Sequence, residues 1–177
     1  MSIFLSQRVQ NIKPSPTLAI TAQAKELKAQ GRDIIGLGAG EPDFDTPEHI
    51  KQAAIAAINA GFTKYTAVDG IVSLKQAIID KFAKENRLDY ELDQILVSCG
   101  GKHSFYNLAQ ALLNPGDEVI IPAPYWVSYP DMVVLADAKP VILLADKQQN
   151  FKITPAQLRS ALTEKTRLVG LNSPSNP

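Results

Sequence analysis

Two rhythms of apolar residues alternate along this chain. Thr17 to Gln30 places Leu18, Ala24 and Leu27 at helical spacing and stops at Gly31, which predicts a helix closed by a left-handed glycine. Ile34 to Leu37 predicts a short strand, followed by the loop Gly38-Ala-Gly-Glu-Pro-Asp-Phe44. Thr46-Pro47-Glu48 predicts a helix start, with Thr46 as N-cap, a proline at the first helical position and an early acid. That helix carries Ile50, Ile55 and Ile58 and ends at Gly61. After the loop with Lys64-Tyr65, Gly70 opens a further helix from Ile71 to Asn86, with Leu74, Ile78 and Phe82 on one face.

The second rhythm is that of buried strands. Gln94 to Ser98 predicts one, and Cys99-Gly-Gly-Lys102 turns it directly into an amphipathic helix ending near Leu113. Asn114-Pro-Gly-Asp117 is a turn, and Glu118 to Ile121 the next strand. A short helix over Ser128 to Ala136, a strand over Val141 to Leu144, a helix capped by Thr154-Pro155 and a strand over Thr166 to Leu171 complete the series. Short apolar strands separated by helices predict an α/β fold, a mainly parallel sheet with helices on both faces. The first forty or so residues do not begin with a strand of that series and are expected to lie elsewhere in the fold. The last strand runs into Ser173-Pro-Ser-Asn-Pro177, where a further element is expected, so the reading is of a truncated chain.

Composition narrows the function classes. Eighteen basic residues balance eighteen acidic ones, so no net field favours nucleic acid or an anionic membrane. No apolar run approaches the roughly 20 residues of a membrane span. Met1 to Gln10 lacks the apolar core of a signal peptide, and Cys99 is the single cysteine, which fits a reducing compartment. The cytoplasm is the expected location.

Three motifs carry candidate chemistry. In Ser98-Cys-Gly-Gly-Lys102 a strand ends, Gly100 and Gly101 let the backbone turn, and a helix begins. Free N–H groups at a helix N-terminus attract an anion, and glycines let a phosphate come close. The same residues also describe a tight strand-to-helix turn that needs glycine for geometry alone. Gly36-Leu-Gly-Ala-Gly40 falls short of a dinucleotide fingerprint: its third glycine comes one position early, and Glu41-Pro42 stands where a helix should start. It reads as a loop able to offer backbone N–H groups to a carboxylate, or as a linker. Pro124-Tyr-Trp-Val-Ser-Tyr-Pro130 puts the only tryptophan, Trp126, just after a strand end, where open α/β sheets bind ligands. A ring there stacks on a planar cofactor, or packs half-buried against the protein. His49 and His103 have no companions at metal-ligand spacing, and no metal site is expected; His103, beside the Gly-Gly turn, reads as a bland neighbour rather than a ligand.

The order and spacing of these motifs identify a family. Gly40-Glu-Pro-Asp-Phe44, Lys64-Tyr65, Gly100-Gly-Lys102, Pro124-Tyr-Trp-Val-Ser-Tyr129 and Asn172-Ser-Pro-Ser-Asn-Pro177 resemble, along essentially the whole chain, class I pyridoxal-phosphate-dependent aminotransferases of fold type I. The resemblance is strongest to the bacterial aspartate aminotransferase branch that includes aspartate/prephenate aminotransferases. It implies the cofactor pyridoxal 5'-phosphate, with Gly100, Gly101 and Lys102 in the phosphate cup and Trp126 stacking on the pyridine ring. Asn176 would meet the cofactor's phenolic oxygen, and Tyr65 the cofactor phosphate of a neighbouring subunit in a homodimer. Gly40 would meet the substrate α-carboxylate with its backbone N–H, while Trp126 and Asn176 also border the substrate.

Lys102 and Thr17 align with residues that recognise the distal carboxylate of a dicarboxylic substrate. On the residues alone, Lys102 is equally a solvated lysine of a first turn and Thr17 a helix N-cap. The resemblance divides the chain into an arm and small-domain segment at 1–45 and the first half of the cofactor-binding domain at 46–177. It places the Schiff-base lysine, the aspartate facing the pyridine nitrogen and the α-carboxylate arginine beyond Pro177, so this stretch alone is expected to be inactive. The function implied is transfer of an amino group from an L-amino acid, aspartate first, to a 2-oxo acid, either 2-oxoglutarate or prephenate. A carbon–sulfur lyase on the same fold, a non-catalytic regulator and an unrelated nucleotide-binding domain are the rivals.

Overall fold

The structure is a computed structural model that describes residues 4–38 and 40–176. Met1 to Ile3, Ala39 and Pro177 lie outside the described residues, so the start of the chain, the middle of the glycine loop and the end of the last motif each lack a part. The chain separates into two compact units, residues 41–104 and residues 1–40 with 105–177.

The second of these holds the sheet. Strands β1 (Glu118–Ala123), β2 (Lys139–Leu144) and β3 (Thr166–Val169) are all parallel, in the order β2-β1-β3. Parallel neighbours need crossovers, which helices α6 (Ser128–Leu135) and α7 (Pro155–Ala161) provide. The central strand β1 is the most buried, with Val119, Ile120 and Ile121 almost wholly enclosed. Val119 and Ile121 face one way, against Ala109 and Leu113 of the segment before the strand and Val133 of α6. Ile120 faces the other way and is equally buried, so both faces of the strand are covered.

Charged residues pin the amino end of the sheet. Glu118 accepts from the Thr163 hydroxyl at 2.8 Å and from Lys139 at 3.0 Å, and these two contacts, the hydroxyl first, hold its carboxyl below the ordinary glutamate range. The helix that follows the Asn114 turn region and strand β2 is set by local chemistry. Thr154 and Gln157 form a reciprocal capping box around Pro155, as the sequence predicts for a helix start.

Ahead of the sheet, α1 (Gln7–Gln10) precedes α2 (Pro16–Ala29). Ser15 caps α2, its hydroxyl accepting the Leu18 N–H at 3.4 Å, with Pro16 at the first helical position. Thr17 is therefore inside the first turn, and the expectation of Thr17 as N-cap is corrected: the serine–proline pair just before it takes that role. Ile34 to Leu37 joins no ladder among the described residues.

The other unit is helical. It contains α3 (Glu48–Asn59), α4 (Val72–Lys81), a wide π-type turn over Phe82–Asn86, and the start of α5 (Gly101–Leu112). Helix α3 begins one residue later than its sequence signal suggests: Pro47 occupies the cap position without a side-chain bond, and its carbonyl accepts from the Ile50 N–H. Thr46 does not cap it. The continuous helix expected from Ile71 to Asn86 loosens at Phe82, whose carbonyl is drawn to the Leu88 N–H while Arg87 takes a left-handed conformation. Gln94 to Ser98 likewise forms no ladder; a short 3-10 turn covers Leu92–Gln94, and Val97 donates its N–H to a loop carbonyl, that of Asp69. A strand is defined by its neighbours, and this segment has none among the described residues.

Candidate functional site

The glycine turn has the geometry that an anion cradle requires. Gly100 sits at φ +87°, a conformation that suits a residue without Cβ. Its N–H returns to the Ser98 carbonyl at 2.8 Å, and its own carbonyl accepts from Ser104, the first bond of α5. Gly101 is the first residue of α5, and a helix N-terminus directs its leading amides outward. A Cβ at Gly100 or Gly101 would meet nothing within 4 Å, so the space in front of the turn is open. Beneath it, the Ser98 hydroxyl is buried without a hydrogen-bond partner. Lys102 is exposed in the same first turn.

His103, which the sequence leaves as a bland neighbour, has a structural task. Its Nδ1 accepts the Cys99 N–H at 3.1 Å and closes the turn from the helix side. An imidazole that accepts at Nδ1 carries its proton on Nε2. Tyr65, in the loop between α3 and α4, is fully exposed within this chain.

The remaining candidates belong to residues 1–40 and 105–177. Trp126 is half-buried just beyond β1, edge-on to Tyr129 with ring centroids 5.4 Å apart, and Tyr129 in turn packs on Phe105 at 5.0 Å. Asn176 is exposed at the end of the loop after β3, and its N–H is held by the Asn172 side chain at 3.0 Å. The first asparagine of the final motif thus ties down the second, a role the motif alone does not announce. Gly40 is exposed, and two residues before it Gly38 lies against α2, where a Cβ would come within 3.3 Å of Ile20 and 3.4 Å of Thr21. Thr21 donates its hydroxyl to the Thr17 carbonyl at 2.8 Å, so the glycine loop and the Thr17 turn are packed together.

A cavity of about 460 Å³ opens past the carboxyl ends of β1 and β3. Tyr125, Tyr129, Phe151, Asn172 and Ser175 are among its walls; Trp126 and Asn176, their immediate neighbours, are not. The position is the one at which open α/β sheets hold ligands.

Comparison with known proteins decides the family. The sequence profile described as aminotransferase class I and II matches residues 32–177. The chain belongs to that family. An aspartate/prephenate aminotransferase of Nitrosomonas europaea is 66% identical over 98% of this chain, and an aspartate aminotransferase of a Bacillus species 57% identical over all of it. Among solved structures, the aspartate aminotransferase of Rhizobium meliloti is 52% identical, covers 99% of this chain and superposes with a TM-score of 0.95. The Thermus thermophilus aspartate aminotransferase with maleate, 47% identical over 99% of this chain, has the same score of 0.95.

The chain spans about 44% of the length of the Nitrosomonas relative and 44% of the Rhizobium chain. The α/β architecture with its parallel sheet is that of fold type I in the aminotransferases, as the sequence predicts. No group of three or more potential metal ligands occurs among the described residues, and no helix there is long and apolar enough to cross a membrane.

Asp69 and Lys75 escaped the sequence reading. Lys75 is buried, with its ammonium on the Asp69 carboxylate. Six residues separate them, outside the three- or four-residue spacing by which helical pairs are recognised in a sequence.

Proposed function

We propose that the full-length protein is a pyridoxal-phosphate-dependent aminotransferase that takes the amino group of L-aspartate and passes it to 2-oxoglutarate, with prephenate a further acceptor. The observation that carries this reading is the likeness in sequence and backbone, over nearly the whole of this chain, to aspartate and aspartate/prephenate aminotransferases. The open glycine turn supports it, because a phosphate fits at a helix N-terminus where no Cβ intrudes. The buried Ser98 hydroxyl adds a polar group awaiting a partner at the same turn.

When bound, pyridoxal phosphate supplies an electron sink that makes the substrate's α-hydrogen acidic. This chain's residues would do the holding. Gly100, Gly101 and Lys102 would bind the phosphate, and Trp126 would present its ring to the pyridine face and fix the plane in which bond breaking is favoured. Asn176 would donate to the phenolic oxygen. Gly40 would offer its N–H to the substrate α-carboxylate, next to Trp126 and Asn176. Tyr65, exposed within its own chain, would serve the phosphate of a neighbouring subunit in a homodimer.

Lys102 and Thr17 would receive the distal carboxylate, and the maleate named with the Thermus relative is a dicarboxylate of matching kind. The packing of Gly38 on the Thr17 helix supports placing both substrate carboxylates near one local structure. We further propose the cytoplasm as its location and a division into a small-domain segment at 1–45 and a cofactor domain at 46–177.

The test is a coupled assay on the full-length protein with aspartate and 2-oxoglutarate, following oxaloacetate and glutamate. Equal yields of the two are expected. Release of ammonia and pyruvate from a thioether amino acid instead would identify a lyase, and no turnover with intact cofactor binding would identify a regulator. With pyridoxal phosphate held saturating, so that any weakening of the phosphate contact is masked, Lys102→Met is expected to raise KM for aspartate at least about tenfold, the worth of a charge-assisted hydrogen bond, with little effect on a monocarboxylic donor such as alanine. An equal loss with both donors would overturn the distal-carboxylate role.

A further inference from the structure

Two charged residues are buried among the described ones, Glu118 and Lys75. Glu118 belongs to the sheet's amino end, where Lys139 and Thr163 satisfy it. Lys75 lies in the first turn of α4 with only 7% of its side chain exposed, and reaches back to Asp69, which is itself about half exposed at 48%. That contact, with the Lys75 hydrogen bond as the main cause, holds the Asp69 carboxyl below its usual range. Burying the Lys75 ammonium costs desolvation that a half-exposed partner offsets only in part, so the contact is better explained by what it positions.

Three further contacts say what that is. The Asp69 carbonyl accepts the Val97 N–H at 3.0 Å. Gly70, at φ +110°, lies so close to Val97 that an added Cβ would fall 2.5 Å from Cγ2 of the valine, far inside contact distance. Val97 leads through Ser98 into the Gly100-Gly101 turn, which His103 closes from the other side. In the opposite direction, the Gly70 N–H closes a turn on the Ala67 carbonyl at 3.2 Å, two residues after Tyr65. One interlocked block therefore runs from the Tyr65 loop, through Asp69, Gly70 and Lys75, to the glycine turn.

We propose that the Asp69–Lys75 pair, pressed on Val97 through Gly70, is a positioning device that keeps the Tyr65 loop and the Gly100-Gly101 turn in fixed register. This rests on the proposed function, in which the turn holds the phosphate of its own subunit's cofactor and Tyr65 that of the neighbour. The two phosphate-directed elements of one chain then move together, and a disturbance at Lys75 reaches both cofactors of the dimer.

The experiment uses the full-length protein freed of cofactor and titrated with pyridoxal phosphate. The double variant Asp69→Asn with Lys75→Met removes both charges at once and leaves no buried ion unpaired. Lys75→Met alone, which leaves only the half-exposed Asp69 without its partner, is carried in parallel so that the result does not hang on the double variant's folding. Lys75→Arg keeps the charge. Both neutralised variants are expected to raise the cofactor Kd about tenfold, equivalent to about 1.4 kcal/mol, while Lys75→Arg stays near the unmodified value.

The ³¹P resonance of the bound phosphate should shift in the neutralised variants and not in Lys75→Arg, which a loss of global stability alone would not produce. Hybrid dimers with one double-variant subunit should release both cofactors faster than the unmodified dimer. Unchanged Kd in the folded neutralised variants overturns the proposal, and so does one site of the hybrid keeping the unmodified release rate. An unmodified protein that takes up no pyridoxal phosphate refutes the functional reading itself, and this inference with it.

Discussion

Strand β1 and helix α3 are both rich in isoleucine, yet they meet opposite fates. In β1, Ile120 is 0% exposed, while in α3 Ile58 remains 62% exposed and no residue of the helix is buried. The difference lies in the neighbours. Beside β1 stand two parallel strands and the side chains of Ala109, Leu113 and Val133, all supplied within a few dozen residues of the same chain. Helix α3 carries the same kind of apolar face without a comparable partner in its own unit. An amphipathic pattern thus states that a face can be buried; it does not state by what.

Substitutions can break this contrast or sharpen it. Ile120→Ala in the full-length protein should cost about 2–5 kcal/mol in denaturant unfolding, since a fully enclosed side chain leaves a cavity. A cost under about 1 kcal/mol would mean that the strand can collapse around the loss. Thr154→Ala removes one half of the capping box before α7 and should cost about 1 kcal/mol, read from the shift in urea midpoint at unchanged m. Ile58→Ala should have the smallest effect, within about 0.5 kcal/mol, if the α3 face stays in water. A loss beyond about 2 kcal/mol would show that another part of the full-length protein, or a second subunit, covers this helix.

The same contrast explains what could be read from the sequence. Strands β1 and β2 and the Thr154-Pro155 helix start were legible because their signals are local and their partners are close at hand. Gln94 to Ser98 has an equally apolar pattern, but a ladder needs a neighbour and none is present among the described residues. Ile34 to Leu37 differs for the same reason. The cap of α2 went to Ser15 because proline suits the first helical position and puts the serine before it at the cap, with Thr17 two residues on.

At the candidate site, Gly100-Gly101 was legible because backbone freedom is written in the residue type. The hydrogen bond from Cys99 to His103 and the support of Asn176 by Asn172 were not, since a side chain's choice of partner depends on the fold around it. Lys75 was hardest to find: a lysine near a helix start reads as solvated until the loop before it is seen to fold back over it.

Trp126 has a consequence of a different kind. It is the only tryptophan in these 177 residues, and Tyr129 stands edge-on to it at 5.4 Å. At that range a tyrosine hands its excitation to the indole, so ultraviolet emission from this stretch of chain comes mainly from one ring. The colour and lifetime of that emission would register any flat molecule sliding over the indole, which makes the protein its own optical reporter.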